Sequence, residues 1–347
     1  MATTYKTFLN NDVTTTRTLL HEAIPITGSI VSGTYAGANI KTYTADLFEA
    51  VYDYPYLSSS ANHIFDITCG YSATSPLSAS AVSDSVSAQD IQNKINMYNE
   101  MAKVLVGHDV TGSIQEFDQD GDLSAGGTKL QEIYALNFAR LLTKDEIKKG
   151  SFVFNLGSGS TWDTANDERV LVSDYQGVND YRVNSPAGEY GILYTSSATP
   201  DATNVGVGLV YYQAGVAILT ASLFGMNGMD TSNQSCEAVL SSSTITANAD
   251  ALRRRFYDLD FNNTTELNST IYFCRVNHNE FNYSANPTYL SSSQIVVKQQ
   301  TTDAPVSFIT SVGLYSADNE LLGVAKISEP LKKDPNNELI LRVRLDY

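Results

Sequence analysis

One tryptophan, three cysteines and four histidines in 347 residues leave little material for several common chemistries. Cys69, Cys236 and Cys274 are far apart and odd in number, with no CxxC pair and no Cys/His metal spacing. Neither a disulfide framework nor a zinc site is expected, and the cysteine usage fits a reducing cytoplasm. His21, His63, His108 and His278 are scattered, and no HExxH helix or GxSxG elbow accompanies them. Basic residues are also scarce. The 22 Lys and Arg face 38 Asp and Glu, a net charge of −16. A surface of that sign repels nucleic acid, so no nucleic-acid partner is expected. The one compact basic run, Arg253–Arg255, reads as an ion-paired helix start. Met1–Asn11 holds one lysine and no apolar core, so no signal peptide is expected.

Charge is missing altogether from Ala202–Met229. A membrane-spanning helix needs about 20 mostly apolar residues, and this run has that length. Gly206, Gly208, Gly215 and Gln213 interrupt it, and no positive flank marks one side. Two buried strands meeting at Gln213–Gly215 fit better, and no membrane partner is expected.

What is present indicates a sizeable folded core: 42% of the chain is hydrophobic, too much for a disordered chain. Ser87 and Asp90 have capping-box spacing. Ile91, Ile95, Tyr98, Met101, Ala102 and Leu105 then form an apolar stripe that Gly107 ends, with Lys94 and Lys103 on the opposite face. Leu130, Ile133, Tyr134, Phe138 and Leu141 predict a second helix over Lys129–Leu142. Thr143–Glu146 starts a short third one, giving helical stretches near 87–106 and 129–149. Short helical turns are expected at Thr18–Ala23 and Thr44–Tyr52, and a further helix at Asn248–Leu259. Strands are expected at His63–Gly70, Phe152–Phe154, Val170–Val172, Gly191–Tyr194, the Val205–Phe224 hairpin, Thr270–Val276 and Ser293–Lys298. The last strands are Val306–Tyr315, Glu320–Ser328 and Leu339–Leu345, with a turn at Ser316–Asn319 and a loop from Pro330 to Asn337. The fold class is α+β, mostly antiparallel sheet with a small helical portion. It divides into a mixed segment 1–75, a helical portion 76–150 and a β-rich domain 151–347.

One motif suggests metal chemistry. Asp118-Gln-Asp-Gly-Asp122 places carboxylates at the first, third and fifth positions of a calcium loop. Leu123 stands where a glycine makes the turn, and Lys129 where a bidentate glutamate closes the shell. The motif therefore reads as an acidic turn, and no metal is expected unless a partner subunit supplies the missing ligand. Gly157-Ser-Gly159 lacks the following lysine of a phosphate cradle. The carboxylates Asp258 and Asp260 read as solvated. With no nucleophile–base pair visible, no catalytic residue and no cofactor is expected. Tyrosine is abundant at 21. Tyr52–Tyr56, Tyr211–Tyr212 and Asn282–Tyr289 are candidate contact surfaces between subunits.

Three blocks carry a resemblance: Asn277–Tyr289, Val312–Pro330 and Leu341–Tyr347. Over these, under a third of its length, the chain resembles the C-terminal part of virion structural proteins from tailed bacteriophages. Gly208–Leu219 is similar to a strand pair in the same group. The plan of an N-terminal helix, the strand Ile64–Thr68 and a last apolar strand ending in an aromatic residue is similar to the baseplate wedge subunit of contractile-tailed phages. That family is α+β and dimeric, and this chain departs from it through its middle. The resemblance implies a virion component of the tail, baseplate or neck, made in the host bacterial cytoplasm. It implies homo-oligomers and contacts to other virion structural proteins, without a substrate. A capsid or head-surface protein is the alternative. A glycan-binding or depolymerising module at a tail tip is a further one, suggested by Trp162 beside Asp163 and near Asp167 and Glu168.

Overall fold

The computed structural model describes residues 5–28, 36–79, 87–123, 126–157, 169–195, 206–224, 240–282, 290–291, 294–295, 302 and 305–347. Trp162 with Asp163, Asp167 and Glu168, Cys236, Gly159, Ser124, the 283–289 loop and most of Ser293–Lys298 lie outside the described residues. The chain forms two compact units, Leu20–Thr265 and Met1–Leu19 with Glu266–Tyr347. These limits differ from divisions at 75 and 150.

The strands in chain order begin with β1 (Val13–Thr27), β2 (Ile40–Thr42), β3 (Glu49–Tyr52), β4 (His63–Tyr71) and β5 (Glu132–Phe138). Next come β6 (Glu146–Ile147), β7 (Val153–Gly157), β8 (Arg169–Ser173), β9 (Tyr181–Ser185) and β10 (Gly188–Thr195). The larger unit ends with β11 (Gly208–Tyr211), β12 (Val216–Thr220) and β13 (Phe256–Val276), and β1 and β13 both continue into the smaller unit. The sheet order is β13-β7-β8-β10-β11-β12-β5-β4-β3-β2, with β6 on β13 and β9 on β10. Neighbours pair antiparallel, for example Ile67 with Leu136 and Ile218 with Ala135.

Alternate residues of these strands enter two separate cores. Phe65, Ile67, Tyr134, Leu136, Leu193, Val210, Ala217 and Leu219 join one cluster. Ile133, Ala135, Ile192, Leu209, Tyr211, Val216 and Ile218 join the other. The period-two alternation of a strand sends the two sets to opposite faces, so both faces of the sheet are covered. Helix α1 (Ala88–Leu105) supplies Tyr98, Ala102 and Leu105 to the second core. Helix α2 (Ile245–Arg254) supplies Ile245, Ala249 and Leu252 to the first.

Double coverage explains where the sequence misleads. A strand buried on both faces reads as a nearly continuous apolar run, whose spacing imitates a helix. Lys129–Leu142 is therefore not a helix: it holds β5, between β4 and β12, followed by a single turn at Arg140–Thr143. No helix starts at Thr143, because Lys144 takes a positive φ of 56° and the chain passes into β6. Thr18–Ala23 lies within β1, whose Thr14–Thr16 and Ile24 are β-branched and favour strand. Thr44–Tyr52 turns at Asp46 (φ 50°) and enters β3. Helix α2 ends at Arg254 rather than Leu259, so Arg253–Arg255 closes a helix instead of opening one. There the arginines complement the C-terminal end of the helix dipole. The 205–224 run is the β11–β12 hairpin, turning at Gly215 (φ +68°). No helix among the described residues is long and apolar enough to cross a membrane.

Helix α1 begins as its sequence indicates. The Asp90 amide donates to Ser87 Oγ at 3.2 Å, and the Ser87 amide donates to the Asp90 carboxylate at 2.9 Å. Gly107 ends it with a φ of +93°, and its amide donates a hydrogen bond to the Ala102 carbonyl. Its buried stripe is Lys94, Tyr98, Ala102 and Leu105, rotated from the expected face so that Lys94 points inward. The Lys94 ammonium donates to the Leu240 carbonyl at 2.6 Å and to the Ser243 carbonyl, just before α2. Burial pulls its pKa below the ordinary lysine value. The carbonyl bonds offset a desolvation cost of roughly several kcal/mol.

In the smaller unit, β14 (Leu290–Ser291) pairs with β15 (Gln294–Ile295). Strands β16 (Ser307–Tyr315) and β17 (Leu321–Lys333) form a separate hairpin, closed by a turn in which Asn319 has φ 64°. β17 runs on through Pro330, where a loop is expected from the sequence. The register shifts between Ile309 and Ser311, and such an irregularity tolerates a residue without an N–H. The last strand, β18 (Leu339–Asp346), pairs with β13 from Val276–Leu339 to Ser269–Asp346. One edge of the terminal strand is thus taken within the chain.

Close packing of α1 on β4 rests on Gly70. A Cβ there would press on the Lys94 carbonyl and lie 2.9 Å from the Tyr98 amide nitrogen. Gly70→Ala is expected to lower stability by about 1 to 3 kcal/mol in urea unfolding, with an unchanged m-value.

Candidate functional site

Two places stand out from the rest of the molecule, one in each unit. In the smaller unit the feature is a surface. Val276, Leu314 and Val343 are its only buried apolar side chains among the described residues, while fourteen large apolar residues are exposed. On the β16–β17 hairpin these include Phe308, Tyr315, Leu321, Leu322 (70% exposed) and Val324. An isolated two-stranded hairpin is marginal in water. Patches of this kind usually mark interaction sites. The extended 5–9 segment packs beside it, with Tyr5 edge-on to Tyr315 at 4.9 Å and Phe8 tilted against Tyr272 at 5.4 Å. Between them lies a cleft of about 650 Å³ whose walls include Phe273, Phe308 and Tyr315. Its Asp12 carboxylate is engaged by Arg275 and held below the usual carboxylate range, chiefly by that bond.

Charge divides unevenly between the units. Of 22 Lys/Arg and 38 Asp/Glu, 9 and 10 fall in Met1–Leu19 with Glu266–Tyr347, a net of −1. The remaining 13 and 28 give Leu20–Thr265 a net of −15.

The larger unit carries the second place, the loop Asp118–Asp122. Asp118 is buried and Asp120 and Asp122 are exposed, and one oxygen from each lies within 4.8 Å of the others. The Leu123 amide donates to Asp118 Oδ2 at 2.7 Å, and Lys129 Nζ stands 3.1 Å from the same oxygen. The residue that replaces the loop glycine, Leu123, adopts the left-handed backbone glycine would supply (φ 57°). The Tyr190 hydroxyl and the Asn184 side-chain amide both donate to the Gly121 carbonyl, at 3.1 and 3.0 Å. Burial pushes the Asp118 carboxyl up, and Lys129 pulls it back.

The remaining sequence candidates do not converge. His21 reaches Asn263 and Thr264, His63 pairs with Asp66 at 2.8 Å, and His278 stands 3.3 Å from Glu338. His108 bridges to Ile114. Arg253 and Arg254 pair with Asp250, and Arg255 is buried against the Gly157 carbonyl. Asp258 and Asp260 share one side of β13, where burial and each other's charge raise Asp258. Tyr211 and Tyr212 are fully buried, so they serve the two cores and are not contact surfaces. Tyr54 and Tyr56 are exposed.

Sequence reasoning missed five buried ionisable groups among the described residues: Lys94, Asp174, Glu49, Asp12 and Lys333. Asp174 accepts from the amides of Gly150 and Phe152, both at 2.8 Å, and from the Tyr212 hydroxyl at 3.0 Å. It ties the chain after β8 to the residues just before β7 and just after β11, and it is fully buried. Glu49 is 4% exposed, and its Oε2 has no hydrogen-bond partner. Lys94 stands four and eight residues before Tyr98 and Ala102, a spacing that shares their face, although the apolar stripe set it on the opposite one.

No known protein family matches this chain, and no curated protein or solved structure is similar to it.

Burial, reinforced by Asp250 and opposed by Arg253 and Arg254, pushes Glu49 up to about 7 from an ordinary 4.5. The folded state therefore holds a proton that the unfolded chain releases near pH 4.5. Stability from this group is complete below that pH and is lost as pH rises through about 7. The loss is on the order of 3 kcal/mol. Urea unfolding of Glu49→Gln from pH 4 to 8 is expected to lack this decline, leaving the variant more stable than wild type at pH 8.

Proposed function

We propose that this chain is a structural subunit of a tailed-phage virion, in the tail, baseplate or neck, working through protein–protein contacts. The observation that carries the reading is the imbalance among the described residues of the smaller unit, where three apolar side chains are buried and fourteen large ones are exposed. A unit with so small a core gains stability by covering its strands with another chain. The blocks that resemble tailed-phage structural proteins, Val312–Pro330 and Leu341–Tyr347, fall on the same hairpin and terminal strand.

The occupant is a second copy of this chain. Identical copies approaching through Leu20–Thr265 would bring net charges of −15 together, which is unfavourable at any range shorter than the screening length. The smaller unit carries −1, so like can meet like there without that repulsion. Near-zero charge with exposed Leu322 and Val324 favours association.

Sedimentation velocity of the full chain is expected to show a discrete oligomer at micromolar concentration. The double variant Leu322→Glu/Val324→Glu should weaken it at least tenfold while the far-ultraviolet circular dichroism stays unchanged. Negative-stain images of the wild-type oligomer should show a threefold or sixfold ring. A wild-type chain that remains monomeric up to about 100 µM would refute the reading.

A further inference from the structure

We propose that the Asp118–Asp122 loop is a calcium site, with the carboxylates of Asp118, Asp120 and Asp122 as its protein ligands. The inference stands on the loop itself and does not depend on the assembly role.

Three carboxylates in this space repel one another, by about 1 kcal/mol per pair at 4 Å in water and more where water is partly excluded. Lys129 brings a positive charge to the loop, 3.1 Å from Asp118 Oδ2. The second oxygen tells more. Asp118 Oδ1 belongs to a side chain only 1% exposed and has no hydrogen-bond partner. Leaving a buried charged acceptor without a donor costs at least about 1 to 3 kcal/mol. Folded proteins seldom tolerate that without a reason, an unseen ion being one. Among the described residues no hydrogen-bond partner reaches this oxygen, yet a carboxylate oxygen of Asp120 and one of Asp122 lie within 4.8 Å of an oxygen of Asp118.

The donor chemistry selects the ion. Three carboxylates form an oxygen-only set for a hard cation. Oxygens bound to one calcium at about 2.3 to 2.6 Å lie at most about 5.2 Å apart, so a group held within 4.8 Å needs no opening to admit it. Asp120 and Asp122 are exposed, which leaves an entry path and room for water to complete the shell. The sequence objection at Leu123 disappears, since that residue adopts the φ the turn requires. The objection at Lys129 becomes quantitative. An ammonium replaces the bidentate glutamate, which places the site in the weak range, about 10⁻⁴ to 10⁻³ M.

Terbium luminescence provides the test, because Tyr190 donates to the loop at Gly121 and can sensitise a bound lanthanide. The full chain, excited at its tyrosines, should bind terbium and release it to calcium chloride at submillimolar to millimolar concentration. Asp120→Asn, at an exposed position, should weaken calcium at least tenfold. Lys129→Glu should tighten it at least tenfold. Absence of saturable calcium binding below about 10 mM overturns the proposal. So does calcium binding undiminished in Asp120→Asn, and magnesium binding as tight as calcium overturns the choice of ion.

Discussion

Covering both faces of the Leu20–Thr265 sheet is the constraint from which most of this structure follows. A sheet buried on one side needs one apolar face and can keep the other polar. This one needs two, and the alternate residues of β5, β10, β11 and β12 supply them to separate cores. The cost is that polar groups near the sheet must be satisfied internally. Lys94 ends on two carbonyls before α2, and Asp174 is held by two amides and Tyr212. Each of these groups bonds parts of the chain that are distant in sequence, so the polar interior locks the topology that the apolar interior selects.

The two units solve the problem of stability differently. The larger one buries its apolar residues and carries nearly all of the net charge, which makes its surface self-repelling. The smaller one is close to neutral and leaves its strands half covered. Acidity and burial go together in one unit, neutrality and exposure in the other.

In the acidic loop the residue pattern departs from a calcium loop while the backbone keeps the left-handed turn at Leu123. Leu123 and Lys129 depart from the calcium-loop pattern, and by pattern alone the loop is an ordinary turn. The Gly121 carbonyl, however, is fixed by Tyr190 and Asn184, which belong to β10 and β9. Two residues on, Leu123 takes a left-handed φ, at a cost that glycine would avoid, and its amide donates to Asp118 Oδ2. The loop leaves Asp118 buried with one oxygen unpaired.

Local signals alone determined a good part of this protein. The Ser87–Asp90 cap, the stop at Gly107, the β11–β12 turn at Gly215, the Ser316–Asn319 turn and the strand Leu339–Asp346 were all legible, because each rests on neighbours within a few residues. The predominantly antiparallel α+β character was legible for the same reason. The tertiary structure decided the rest. It made β5 a strand where apolar spacing favours a helix, turned Lys94 inward, placed Tyr211 and Tyr212 in opposite cores and set Lys129 beside Asp118. Apolar spacing reports that a residue is buried, but which face it joins depends on partners far away in the chain, and no local pattern encodes those.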